Sequence, residues 1–129
     1  MNSPFITDSH CHLDFPDFDN NLEETIEKAL KSGVGRMVTI CTKLSEEPKV
    51  RNIAEKFDCV FYAAGIHPMN AHHQPLVEVS YLLEMANHPK FVGIGETGLD
   101  YHYTKETEKD QKKSLAQHIQ AAQKSKLPL

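Results

Sequence analysis

The sequence lacks several features that would assign it at once to a broad class of protein. No apolar segment approaches the roughly 18 residues that a membrane-spanning helix requires. Only three cysteines occur, and each lies in or beside an apolar run, which indicates reduced thiols rather than a disulfide framework. The first residues do not combine a charged segment with an apolar one, so we expect no signal peptide. These absences predict a soluble protein of the cytoplasm.

The chain also lacks a strong charge of either sign. Its net charge is −4 over 129 residues, with acidic and basic side chains interleaved. A protein that holds a nucleic-acid backbone by charge alone presents a surplus of lysine and arginine. Any contact with phosphate is therefore expected to depend on a metal ion or on a local pocket. The length suits one domain with a hydrophobic core.

The sequence does contain a strand followed by a helix, four times in succession. Apolar runs predict strands at residues 5–13, 36–41, 59–66 and 91–96. Segments with one apolar face predict helices at residues 22–33, 45–57, 76–86 and 105–126. Asn20 and Glu23 have the spacing of a capping box before the first helix. The tail, residues 127–129, resembles the start of a fifth strand.

This alternation is typical of βαβ units and a parallel sheet, which leaves two architectures open. One is an open, doubly wound sheet, and the other is a (β/α)₈ barrel. The glycine-rich fingerprint of a nucleotide-binding fold is absent after the first strand. Polar residues instead follow strands one, three and four, at the face that carries the active site of a barrel. A whole barrel needs about 250 residues. We therefore predict an α/β fold that is the N-terminal half of such a barrel, as one partial domain over residues 1–129.

Two histidines close the first predicted strand. Asp8, His10 and His12 alternate along it and so point to one face, while Cys11 points to the other. Two imidazoles at this spacing can converge on one divalent cation. The simpler interpretation is a pair of strand histidines that bond to protein neighbours. Asp8 is expected to support the pair or to cap the strand rather than to act as an acid.

Two further polar positions follow later strands. Glu96 ends an apolar strand, where an ionised carboxylate is costly unless a positive charge is near. A divalent ion shared with His10 and His12 would supply that charge, although a solvated strand-end acid remains the alternative. His67 precedes Pro68 in a turn and is expected at the mouth of the site, while Gly65 allows a close backbone approach.

Three motifs together resemble the TatD family of metal-dependent hydrolases, within the amidohydrolase-like barrel superfamily. They are Asp8-Ser9-His10-Cys11-His12-Leu13-Asp14, Gly65-Ile66-His67-Pro68 and Gly95-Glu96-Thr97-Gly98-Leu99-Asp100-Tyr101. Their order, spacing and strand positions all match. The segment that includes Gln111 and His118 is also similar to the part of the family that precedes its fifth strand.

The resemblance implies a role for each of these residues. His10 and His12 would bind a divalent metal, Mg²⁺, Mn²⁺ or Zn²⁺, and Glu96 would bind it or bridge two ions. Glu96 and His67 would be the catalytic residues, with His67 near the substrate phosphate. Family members are described as deoxyribonucleases or related phosphodiesterases that use a metal-activated water. The implied partner is DNA or another phosphodiester.

The resemblance also implies that part of the site is absent from this chain. In the family, a second half supplies two further histidines and an aspartate, and we expect this chain to stop before the fifth strand. Three hypotheses therefore remain: a phosphodiesterase whose 129-residue portion has weak or no activity, an amide or ester hydrolase of the same superfamily, and a non-catalytic half-barrel. The half-barrel would self-associate through its open sheet edges.

Overall fold

The computed structural model describes residues 5–73 and 75–129. Residues 1–4 and residue 74 lie outside this description. The prediction of no signal peptide rests in part on residues 1–4 and therefore also lies outside it. The strands are β1 (Ile6–Cys11), β2 (Val34–Cys41), β3 (Val60–Ala64) and β4 (Phe91–Ile94). The helices are α1 (Leu22–Lys31), α2 (Glu47–Lys56), α3 (Val79–Met85) and α4 (Glu108–Ser125).

The four strands form one parallel sheet in the order β1-β2-β3-β4. This arrangement confirms the predicted α/β half-barrel of four strands and four helices. Helix α1 packs on β2, and α2 packs on β2 and β3, so that the core lies between the sheet and the helices. Within the described residues, no helix is both long and apolar enough to cross a membrane.

One local prediction about α1 is wrong. The helix begins at Leu22, and the residue before it, Asn21, makes no capping hydrogen bond with its side chain. The capping box expected from Asn20 and Glu23 does not form. The Glu23 carboxylate instead accepts a hydrogen bond from the Lys56 ammonium of α2, at 2.5 Å. A charged partner on the next helix thus competes successfully with the local backbone for this carboxylate.

The surface of the sheet opposite α1 and α2 is open. Val38, Ala63 and Val92 line a cavity of about 480 Å³ on this side, which corresponds to the interior of a barrel. Strand β1 is exposed from Ile6 to His10. The tail lies beside β4, since the Pro128 carbonyl accepts a hydrogen bond from the Ile94 N–H at 2.9 Å. Pro128 belongs to residues 127–129, where the sequence predicts that a fifth strand begins.

Gly65 permits the close contact between the ends of β3 and β4. A Cβ atom at position 65 would lie 2.8 Å from the Cα of Gly95, which is closer than a carbon–carbon contact allows. The Gly95 N–H donates to the Ala64 carbonyl at 3.0 Å and holds the two strand ends together. This confirms the expected close backbone approach at Gly65.

We predict that Gly65→Ala lowers the free energy of unfolding by about 1–3 kcal/mol, because backbone atoms must move to admit the methyl group. Gly93→Ala is the matched control in the same sheet, since its Cβ would meet only ordinary contacts at 3.6 Å. We expect the control to change stability by less than about 1 kcal/mol. Urea denaturation monitored by circular dichroism measures both variants, and equal stability losses would contradict the prediction.

His118 connects α4 to the end of β3. Its side chain is fully buried. Its Nδ1–H donates to the Ser114 carbonyl at 2.7 Å, and its Nε2 accepts the Ile66 N–H at 3.0 Å. Burial lowers the pKa of this histidine below its ordinary value near 6.5. In the structure His118 is thus a core residue that joins two parts of the backbone.

The lowered pKa of His118 predicts that stability falls in mild acid. The unfolded chain takes up this proton more readily than the folded chain, so the free energy of unfolding decreases as the pH drops below about 6.5. In His118→Gln, the free energy of unfolding should differ less between pH 7.5 and pH 5.5 than it does in the unsubstituted chain. Urea titrations across this range test the prediction, which is wrong if the two pH profiles are parallel.

Candidate metal centre

The predicted site residues converge at the carboxyl ends of three strands. His10 is near the end of β1 and His12 follows it, His67 lies three residues beyond β3, and Glu96 lies two residues beyond β4. In a parallel sheet these ends share one edge, which explains why residues so far apart in sequence meet. His10 is exposed, while His12, His67 and Glu96 are partly buried.

His10, His12 and Glu96 form what we call the His–Glu cluster. The Nε2 atoms of His10 and His12 lie 3.3 and 4.0 Å from Oε2 of Glu96. One ligand atom from each residue lies within 4.8 Å of the other two. Ligand atoms about 2.1 Å from a shared ion are separated by roughly 3–4 Å, so the cluster suits one divalent cation.

The contacts of His12 favour a metal ligand. Its Nδ1 lies 3.0 Å from the Ile40 carbonyl, which can only accept a hydrogen bond, so Nδ1 carries the proton. The Nε2 lone pair of the neutral ring then faces Glu96. The His12 ring also stacks on Phe15 at a centroid distance of 4.6 Å. A carbonyl that fixes the tautomer of a histidine is the usual support for metal ligation.

His67 contacts the second oxygen of Glu96. Its Nε2 lies 3.3 Å from Oε1 of Glu96. Its Nδ1 accepts the Met69 N–H at 3.1 Å, so the proton of the neutral ring is on Nε2. His67 is therefore a donor to Glu96 and offers no lone pair to a cation. The Glu96 carboxylate faces His10 and His12 with one oxygen and a hydrogen-bond donor, His67, with the other.

Asp8 and Cys11 lie next to the cluster without joining it. The Asp8 carboxylate accepts the backbone N–H of His10 at 3.1 Å and so supports the strand rather than a ligand. The Cys11 thiol donates to the Val38 carbonyl at 3.4 Å, and burial raises its pKa to about 12. The thiol is thus directed at the backbone of β2 rather than at the cluster.

The contacts found for the other histidines are with residues outside the cluster. His88 bonds to Glu55, His72 contacts His73, and His102 contacts Tyr103. One polar atom that the sequence did not single out does lie near it. Thr97 lines the same cavity as His10 and Glu96, and its Oγ1 is buried without a hydrogen-bond partner among the described residues. Only its position beside Glu96 could have drawn attention to it.

The donor set fits a hard or borderline divalent cation. Two imidazole nitrogens and one carboxylate are a known three-ligand set for catalytic zinc, with the remaining position left to water or substrate. Carboxylate and water ligands also suit Mg²⁺ and Mn²⁺. Glu96 is the one anionic ligand, and a cation between it and the two histidines would neutralise its charge beside an apolar strand.

Comparison with known proteins agrees with the fold and with the motifs. The family model of TatD related DNase matches residues 7–129. The chain belongs to this family. It is 31% identical over 136 aligned positions to an uncharacterised metal-dependent hydrolase, BU355, of Buchnera aphidicola, with 97% of the chain and 51% of that protein covered. It is 30% identical to the human deoxyribonuclease TATDN3, with 96% of the chain and 50% of that protein covered.

A solved structure shows the same fold. The crystal structure of YjjV, a TatD homologue of Escherichia coli, superposes with a TM-score of 0.87 at 28% identity. The match covers 97% of this chain and 49% of that one. The chain thus spans about half the length of the curated relatives that it matches.

We predict that Glu96→Gln weakens divalent-cation binding at least roughly tenfold, because the amide removes the only anionic ligand of the cluster. Glu27→Gln is the matched control, since Glu27 is an exposed carboxylate on α1 that pairs with Lys31. Isothermal titration with Mn²⁺ and with Zn²⁺ measures the affinities. Equal affinities for the two variants would show that the cation binds elsewhere.

Proposed function

We propose that this chain carries part of the active site of a metal-dependent phosphodiesterase that acts on DNA. The single observation that supports the proposal best is the His–Glu cluster at the carboxyl edge of a parallel half-barrel. Membership of the TatD related DNase family and similarity to a protein named a deoxyribonuclease favour a phosphodiester substrate.

His10, His12 and Glu96 would hold the cation. When bound, a divalent ion can lower the pKa of a water molecule and offset negative charge on a phosphate. The Ile40 carbonyl keeps the Nε2 lone pair of His12 available, and Glu96 supplies the only negative charge of the ligand set. A second ion, bridged by Glu96, would need further ligands beyond the three of the cluster.

His67 would act as a hydrogen-bond donor at this site. Its proton is held on Nε2 because Nδ1 is occupied by the Met69 N–H. In that state the ring orients the Glu96 carboxylate. It can also donate to a phosphate oxygen that replaces this contact, without binding the metal itself. Glu96 and His67 are therefore the proposed catalytic pair, and His10, His12 and Glu96 are the proposed metal ligands.

The net charge of the chain agrees with this chemistry. With a net charge of −4, the chain offers little general attraction to a nucleic-acid backbone. The phosphate would therefore be held by the cation and by individual donors such as His67. We expect weak binding of long duplex DNA and a reaction that depends on the cation.

The proposal predicts cation-dependent cleavage of a single-stranded oligonucleotide by the protein as its natural source makes it. EDTA should abolish the cleavage, and added Mg²⁺, Mn²⁺ or Zn²⁺ should restore it. Glu96→Gln should reduce the rate at least roughly tenfold, whereas Glu27→Gln should leave it unchanged. The isolated 129-residue chain is expected to turn over slowly or not at all.

The same assay separates the other hypotheses. A panel of amides and small esters is tested beside the oligonucleotide under identical cation conditions. Hydrolysis of the panel without cleavage of the oligonucleotide would support the amide or ester hydrolase instead. A protein that binds the cation only weakly and hydrolyses neither class of substrate would fit a non-catalytic half-barrel.

Two further expectations stay predictions. Self-association through open sheet edges is favoured by the exposure of β1 and by the open apolar cavity. A cytoplasmic location is favoured by three free cysteines, of which Cys11 and Cys41 donate their thiol hydrogens to backbone carbonyls.

A further inference from the structure

The contacts of His118 extend from α4 to the residue before His67. His118 is one of the largest fully buried side chains of the protein, and both of its ring nitrogens have backbone partners. One partner, the Ser114 carbonyl, lies one turn earlier on the same helix. The other, the N–H of Ile66, belongs to the residue immediately before His67. The imidazole thus fastens the exit of β3 to a helix that lies 52 residues later in the sequence.

The segment that follows Ile66 has little freedom left. The His67 N–H donates to the Thr42 carbonyl at 3.0 Å, and its Nδ1 accepts the Met69 N–H at 3.1 Å. The consecutive N–H groups of Ile66 and His67 are thus bonded to two different parts of the chain, α4 and the residue after β2, while the ring of His67 is bonded to Met69. The result is a fixed direction for the His67 ring, whose Nε2 lies 3.3 Å from Oε1 of Glu96.

We infer that His118 is a positioning residue, which sets the orientation of His67 and so directs the His67 Nε2–H at Glu96 or at a phosphate oxygen. The kinetic consequence of this inference rests on the proposed function. The orientation of the His67 ring by His118 does not depend on that function. His118 itself touches neither the His–Glu cluster nor the expected position of a substrate. It acts through the backbone of Ile66.

The chemistry of the position explains why a histidine suits it. The site needs a donor toward Ser114 and an acceptor toward Ile66, which a neutral imidazole provides from opposite sides of one ring. An apolar residue of similar size would leave the buried N–H of Ile66 without a partner, which is unfavourable. A protonated ring would place a second hydrogen against that N–H. Burial lowers the pKa of His118 and so favours the neutral form.

Two substitutions separate the two hydrogen bonds of His118. Glutamine can place an oxygen near the position of Nε2 and so can still accept the Ile66 N–H. Asparagine is shorter and can reach only the Ser114 carbonyl. Gln117→Ala is the matched control, because Gln117 on the same helix also ties α4 to a distant backbone group, the Val77 carbonyl, at 2.9 Å. That bond does not lead to His67.

The first readout is the tautomer of His67, which the ¹⁵N chemical shifts of its imidazole report. It is measured in the protein as its natural source makes it. In the unsubstituted protein, His67 should show a single tautomer with the hydrogen on Nε2. His118→Asn should convert this to averaged tautomers, whereas His118→Gln and Gln117→Ala should preserve the original pattern. Unchanged shifts in a folded His118→Asn protein, or the same change in Gln117→Ala, would overturn the inference.

The second readout is kinetic and uses cation-dependent oligonucleotide cleavage. His118→Asn should lower kcat by about ten- to a hundredfold through misplacement of His67, with a much smaller change in KM. His118→Gln should recover most of the loss. If the protein cleaves no phosphodiester, the proposed function fails while the imidazole shifts still test the positioning role.

A measurement on the unsubstituted protein covers the case in which His118→Asn does not fold. A scalar coupling across the hydrogen bond from the Ile66 amide to Nε2 of His118 should be detectable by NMR, and the Ile66 amide should exchange slowly with solvent. A missing coupling together with rapid exchange would contradict the inference without any substitution.

Discussion

The close approach of β3 and β4 at Gly65 is the constraint on which the candidate site depends. Position 65 has no room for a side chain, since a Cβ there would lie 2.8 Å from the Cα of Gly95. The two strand ends are therefore near enough for residues just beyond them to meet. His67 follows one strand and Glu96 the other, and their side chains lie 3.3 Å apart. Backbone packing thus determines where the carboxylate lies.

Electrostatics then determines what this carboxylate can do. Glu96 follows an apolar strand, and its two oxygens face opposite neighbours: His10 and His12 on one side and His67 on the other. The hydrogen-bond partners of the rings make these sides chemically different. His12 presents the lone pair of Nε2 because its Nδ1–H donates to the Ile40 carbonyl, whereas His67 presents its Nε2–H because its Nδ1 accepts the Met69 N–H. One side is suited to a cation and the other to an anionic oxygen.

Much of this arrangement was predictable from the sequence, and the part that was not has a physical explanation. The strand and helix pattern, the partnership of His10, His12 and Glu96, and the close approach at Gly65 all follow from local periodicity and motif spacing. The role of His118 does not, because its partner Ile66 is 52 residues away and any helical histidine could have faced solvent. The pairing of Glu23 with Lys56 was missed for the same reason.

His10, His12 and Glu96 are proposed to bind one divalent cation together. This binding can be observed in a crystal of the protein grown with Zn²⁺, with data collected on both sides of the zinc absorption edge. We predict an anomalous peak about 2.1 Å from Nε2 of His10, Nε2 of His12 and Oε2 of Glu96. A fully occupied zinc peak elsewhere, with no density between these three atoms, would contradict the account.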